Sequence, residues 1–215
     1  MKFLITAGPT REPIDPVRFI SNRSTGKMGF ALAQAAAEAG HETVLVAGPV
    51  ALPTPDGVRR IDIETALEML AAVQKELPSA DVYISAAAIA DWRPETCSET
   101  KLKKVEMDGT LRLVRNPDIL RTLRPDKGSR CFVGFAAETG EPTAEATRKL
   151  HDKGLDLIVA NDVTRPGAGF AGDTNIVTLF SPDGTREALP KMSKLEVARR
   201  IIDRAETLQT ATREG

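Results

Sequence analysis

Short, strongly apolar runs recur along this chain: KFLITA (2–7), ETVLVAG (42–48), DVYISAAA (81–88), CFVGFAA (131–137) and DLIVAND (156–162). A sixth, VRRIDI (58–63), is more polar. Runs that stay apolar on both faces belong to strands covered on both sides, and amphipathic stretches of helical spacing lie between them. That alternation prescribes an α/β fold with a mostly parallel sheet clad in helices. With 215 residues, 41% of them hydrophobic, one large domain over 1–215 can bury a sizeable core.

Local signals bound the helices. The first runs from about Gly26 to Glu38 and stops at Gly40, a C-terminal cap. Thr65 and Glu68 form a capping box for a helix reaching about Leu77. Asn116 reads as the N-cap of a short helix, PDILRTL, with Pro117 at its first position. A fourth helix spans about Thr143 to Lys153 and ends at Gly154, and Ser193 with Glu196 caps the last, KLEVARRIIDRAETLQ. NIVTLF (175–180), SPDG and REAL form a terminal hairpin. Two segments break the rhythm. GPTREPIDPVRFISNRST, after the first strand, has three prolines that forbid a continuous helix. ETKLKKVEMDGTLRLVR (99–115) has two extended runs around Asp108-Gly109, a hairpin turn, and so forms an arm over about 95–115.

The stretch FISNRSTGKMGF (19–30) has the look of a phosphate loop entering a helix. It is not a P-loop, because Ser21 stands where the first glycine is needed and Met28 where the hydroxyl belongs. Nor is it a dinucleotide fingerprint, since Ser24 occupies the glycine position before Gly26 and Gly29. The physics beneath both motifs survives: Ser24, Thr25, Gly26 and Lys27 open a helix whose free N–H groups favour an anion. Any such site is local, because 29 basic against 30 acidic residues gives a net charge of -1 and no bulk attraction to nucleic acid or an acidic membrane. No run approaches the roughly 18 apolar residues of a membrane span, and MKFLITAGPT is too soon interrupted for a signal peptide, so the expected location is cytoplasmic. Cys131 reads as core and Cys97 as an incidental thiol; neither has metal spacing.

Ligands of open α/β sheets sit beyond the carboxyl ends of the parallel strands. Those ends carry the 8–26 loop, AAIADWRPE, FAAET and ANDV. The alanines there admit a ligand to the backbone or serve as ordinary close-packing residues. Taken alone, Lys101, Lys103 and Lys104 are a solvated basic face, Asn22 a turn residue, Asp91 a loop cap, and Lys149 and Lys153 compensation for a helix dipole.

The blocks LITAGPTREPIDPVRFISNRSTGKMGFALA, AAAIADWRPE, KLKK, VRNPDIL, VGFAAET and GLDLIVANDV resemble the phosphopantothenoylcysteine synthetase domain of bacterial coenzyme A biosynthesis, in the same order and over nearly the whole chain. The resemblance implies a Rossmann-like doubly wound, mostly parallel sheet with an inserted hairpin arm. It implies ligation of 4'-phosphopantothenate to L-cysteine with CTP as co-substrate and Mg2+ or another divalent cation, through an acyl-cytidylate, with no flavin in this domain. It further implies a homodimer paired through the arm, with a decarboxylase fused upstream or separate. Residue by residue, it makes Lys101 a triphosphate contact that promotes the first half-reaction, and assigns Arg18 and Asn22 to the intermediate and its conversion. It gives Ser24, Thr25, Gly26 and Lys27 to a phosphate, leaving open whose. The nucleotide goes to Ala87, Ala88, Asp91, Asn116, Pro117, Asp118, Ile119, Phe135, Lys149 and Lys153; the cation's ligands stay unassigned. Trp92, where many relatives have a smaller aromatic, and the short hairpin depart from the pattern without removing a matched position.

Two other functions compete. A nicotinamide-dependent oxidoreductase needs an acid closing the second strand, which here ends LVAGPV. A non-catalytic nucleotide-binding module would bind CTP without releasing pyrophosphate.

Overall fold

Alternate residues of the first strand enter two different cores, and this sets the layering. The computed structural model describes residues 1–104, 109–138, 143–162 and 172–214. In chain order the elements begin with β1 (Lys2–Ala7), β2 (Arg11–Pro13), β3 (Phe19–Ser21), α1 (Lys27–Glu38), β4 (Glu42–Ala47), β5 (Val58–Asp62), α2 (Ala66–Glu76) and β6 (Val82–Ser85). They continue with β7 (Trp92–Pro94), β8 (Leu113–Arg115), α3 (Ile119–Leu123), β9 (Cys131–Glu138), α4 (Thr143–Lys153) and β10 (Leu157–Asp162). The chain closes with β11 (Thr174–Asn175), β12 (Val177–Phe180), β13 (Arg186–Ala188), β14 (Met192–Ser193) and α5 (Lys194–Glu214). Phe3, Ile5 and Ala7 pack with α1 and α5, while Leu4 faces α2, α3 and α4 on the other side.

The main sheet has eight strands in the order β13-β12-β10-β9-β6-β1-β4-β5. The six from β10 to β5 are parallel, and β12 and β13 add an antiparallel edge. This is the doubly wound α/β arrangement expected. The chain leaves β1 toward β4 and β5, then returns to the other flank of β1 with β6, so the two directions of winding diverge between β1 and β6. That switch point is drawn together by main chain: Ala88 N–H donates to Gly8 C=O at 2.9 Å, and Pro9 bridges Ala88. Helix α1 approaches β1 backbone to backbone because position 29 is glycine; a Cβ there would lie 2.4 Å from the Ala7 Cβ. Its N-cap, Gly26, has φ +78°, a conformation open chiefly to glycine, and no side chain caps the helix.

The capping box of Thr65 and Glu68, the span 143–153 and the reciprocal bonds of Ser193 and Glu196 all occur as expected. Other expectations need revising. The proline-rich loop contains a small hairpin, with β2 pairing β3. Asn116 is not the N-cap of α3; Asp118 is, its Oδ1 accepting from Arg121 N–H at 3.2 Å. Asn116 is occupied instead as a bracket, Nδ2 donating to Ala90 C=O at 2.8 Å and Oδ1 accepting from Arg93 at 3.0 Å. In the arm, residues 99–104 form no strand, and Leu113–Arg115 pairs with Trp92–Pro94. The turn predicted at Asp108-Gly109 falls partly on Asp108, outside the described residues. Cys131 is buried in the core and Cys97 is exposed. Burial pushes the Cys131 thiol up to about 12, with Asp156 adding to the effect.

Candidate active site

Two cavities lie side by side beyond the carboxyl ends of the parallel strands. The first, about 150 Å³, runs from the Ser24–Gly29 segment to Ala86–Ala88 after β6 and Phe135 and Ala136 of β9. Its far wall is made by Asn161, Asn175 and Lys194. The second, about 190 Å³, lies between Ser85–Asp91 and the Asn116–Leu120 segment, with Phe135 and Lys153 at its side. Ala87 and Phe135 border both. The small side chain at 87 and the strand position of 135 therefore define where the two cavities meet.

The walls are placed by secondary structure rather than by long side chains. Ser24 Oγ accepts from Gly26 N–H at 3.3 Å, which orders the turn into α1, and the N-terminal turn of that helix lines the cavity. Thr6 Oγ1 accepts from Ala87 N–H at 3.3 Å, and Thr10 Oγ1 from Ala90 N–H at 3.0 Å, so two buried threonines on the β1 side hold the alanine loop. Asn22 spans the same gap: its Nδ2 donates to Ala88 C=O at 3.0 Å and Ile89 C=O at 3.2 Å.

Charge is distributed unevenly over the two cavities. Lys27 pairs with Asp173 at 2.7 Å, and Lys194, almost wholly buried, donates to Gly172 C=O. Burial and the nearby Lys27 lower the Lys194 pKa against the opposing pull of Asp173. In the second cavity Lys153 pairs with Asp118 at 2.9 Å. Burial raises the Asp118 pKa, but Lys153 and the Arg121 N–H together outweigh it and hold the carboxyl below its ordinary range. Asp91 is exposed at this cavity, and its C=O accepts from Asn116 N–H at 2.8 Å.

Most of the residues singled out from sequence thus come together: Ser24, Thr25, Gly26, Lys27, Ala87 and Ala88 in the first cavity, and Asp91, Asn116, Pro117, Asp118, Ile119, Phe135 and Lys153 in the second. Lys149 lines neither and pairs with Glu145 at 3.5 Å on its own helix. Lys101 is exposed on the arm, outside both linings. Arg18 is engaged with Asp15 at 2.5 Å and reaches Leu102 C=O at 3.0 Å. Sequence reasoning missed Lys194, Asn161 and Asn175. Lys194 did carry a signal: a lysine in the first turn of a helix opposes the dipole, where an acid is the ordinary choice. Asn161 and Asn175 carried none.

Residues 1–208 match the family described as DNA/pantothenate metabolism flavoprotein C-terminal domain. The chain belongs to that family. The coenzyme A biosynthesis bifunctional protein CoaBC of Vibrio vulnificus (strain YJ016) is 50% identical over 208 residues, which cover 95% of this chain and 52% of the relative. The protein of the same description from Bacillus subtilis (strain 168) is 49% identical over 212 residues, 98% of this chain and 52% of the relative. The chain therefore spans about half the length of these curated relatives. The crystal structure of the C-terminal domain of CoaBC superposes with a TM-score of 0.84 at 42% identity, covering 98% of this chain and 96% of that one.

Proposed function

We propose that the chain is a phosphopantothenate–cysteine ligase that uses CTP. The observation that carries this reading is the pair of cavities meeting at Ala87 and Phe135 at the sheet's switch point. One has the helix N-terminus and lysines suited to a phosphate, and the other has the polar walls suited to a nucleoside. The coenzyme A biosynthesis names of the half-identical relatives support the same reading.

In this scheme the substrate carboxylate attacks the α-phosphorus of CTP, pyrophosphate leaves, and an acyl-cytidylate remains. The cysteine amine then attacks the acyl carbon and CMP departs. Substrate supplies the first nucleophile and nucleotide the leaving group, so the protein has to provide alignment and positive charge. Lys101 lowers the repulsion between the triphosphate and the incoming carboxylate. Asn22, held at the alanine loop, stands on the side where the acyl group is converted, and Arg18 supports it. The Asn116–Ile119 main chain, with Asp91, Phe135 and Lys153, receives the nucleoside; Lys149 acts from the helix behind. A divalent cation would neutralise phosphate charge when bound; ions of this kind are held by phosphates and one or two carboxylates, and two exposed carboxylates line the cavity, Asp91 and the Lys153-paired Asp118.

A homodimer working in the cytoplasm completes the proposal, with a decarboxylase supplying the next step. Val17, Phe19, Trp92, Leu111 and Leu113 are large apolar side chains left exposed on β3, on β7 and β8 and beside them, a composition suited to an interface core. Pyrophosphate release tests the chemistry: with phosphopantothenate and cysteine, CTP should support turnover far better than ATP. Equal turnover would reject the nucleotide choice. CTP binding without pyrophosphate would leave only a binding module.

A further inference from the structure

The Asp15 carboxylate is completely shielded from solvent and faces a cluster of donors. Its Oδ1 accepts from Val17 N–H at 2.9 Å and Arg18 N–H at 2.8 Å, closing a tight turn ahead of β3. Its Oδ2 accepts from Arg18 Nε at 3.1 Å, from Arg18 Nη2 at 2.5 Å and, across 87 positions of sequence, from Leu102 N–H at 3.2 Å. Arg18 Nη2 also donates to Leu102 C=O at 3.0 Å. One ion pair thus grips both main-chain polar groups of the residue next to Lys101. A second tie lies four residues earlier, where Ser98 N–H donates to Ile14 C=O at 3.0 Å. Both ties run to the same turn, residues 14–18, and that turn continues through β3 to Asn22.

We propose that Asp15 is a positioning residue: through Arg18 and the Leu102 main chain it fixes the segment bearing Lys101 against the Asn22 side of the site. The inference rests on the Lys101 role proposed above, and it gives Arg18 the task of holding the arm. The chemistry requires this pair. A carboxylate offers two acceptor oxygens to donors arriving from three directions, whereas an asparagine would turn an amide N–H toward the Leu102 or Arg18 donors. The planar fork of arginine can hold Asp15 and the Leu102 carbonyl together, which a lysine ammonium on a flexible stem cannot reproduce. The Arg18 guanidinium accordingly keeps the Asp15 carboxyl well below the usual carboxylate range.

Asp15→Asn and Arg18→Lys test this in the intact chain by two measurements. Hydrogen exchange should quicken in the peptide covering 98–104 while β1 and β6 stay protected. Pyrophosphate release from CTP and phosphopantothenate should slow by roughly 10- to 100-fold, the scale of an ångström-sized misplacement, whereas Asp15→Asn given pre-formed acyl-cytidylate, a step that does not use Lys101, should lose clearly less, only what loosening Arg18 from its support of Asn22 costs. A purely structural role for Asp15 would depress both half-reactions equally. Unchanged exchange at 98–104, or a freed segment with an undiminished pyrophosphate step, would overturn the proposal. If Asp15→Asn loses protection throughout the sheet, Arg18→Lys decides by the same exchange and pyrophosphate criteria. Wild-type pyrophosphate release by Lys101→Gln would remove the Lys101 role instead, and the exchange data would then judge the clamp alone.

Discussion

Around Ser24–Gly29 and Ala86–Ala88 the candidate site is made of main chain set down by buried strands. The stretch carrying Lys101 is made differently. The alanine loop is joined to the β1 side by Thr6, Thr10, Asn22 and a backbone bridge. Residues 98–104 are moored to the turn at 14–18 by Ser98 and Leu102, while Trp92, Leu111 and Leu113 nearby remain exposed. A pocket that must recognise a fixed shape benefits from the first construction. Under the proposed function, a charge that meets a triphosphate is suited by the second. The two regions teach that one site can be built both from loops fixed to buried strands and from a segment held by a few ties to a neighbouring turn.

The largest expected effect tests the strand-held part. Asn22→Asp removes the donor to the Ala88 and Ile89 carbonyls and introduces a negative charge beside the acyl-phosphate. Like charges about 4 Å apart repel by roughly 4 kcal/mol at an effective dielectric near 20, close to 10³-fold in rate. Acyl-cytidylate should accumulate and be visible by mass spectrometry; a variant that never forms it would reject the role of Asn22 after activation.

Lys101→Gln tests the arm and should cost about 10²-fold in pyrophosphate release, with or without cysteine, by loss of one transition-state charge contact. Thermal stability should stay at the wild-type value, since Lys101 is exposed. A large fall in melting temperature would mean that the arm carries part of the fold and that the two regions do not differ in this way. The smallest effect concerns assembly: Trp92→Ala should weaken self-association by about 1–2 kcal/mol, the scale of a buried aromatic anchor. Sedimentation showing a monomer in the unsubstituted chain would remove the dimer.

What sequence reveals follows the same division. β1, β4, β6, β9 and β10 were legible because burial on both faces leaves an unbroken apolar run, and α2 because Thr65 and Glu68 announce it. β2 with β3 and β7 with β8 were not, since three-residue strands carry too little pattern and their prolines argue against pairing. The cap of α3 was misplaced by two residues because Asn116 and Asp118 are equally good caps by type; only the tertiary demand of Ala90 and Arg93 on Asn116 separates them. Site residues adjacent in sequence, Ser24 to Lys27, were found. Lys194 and Asp15 were not: Lys194 meets Gly172 far along the chain, and although Asp15 pairs locally with Arg18, its tie to Leu102 lies 87 positions away.

The two thiols divide along the same line, which gives the molecule a built-in reporter. Cys97 is exposed on the arm segment, whereas Cys131 is buried with its thiol pushed up to about 12, leaving almost no thiolate to react near neutrality. A maleimide dye or nitroxide therefore attaches to the unsubstituted chain at one place only, and its anisotropy or line shape reads out the arm while the sheet stays spectroscopically silent.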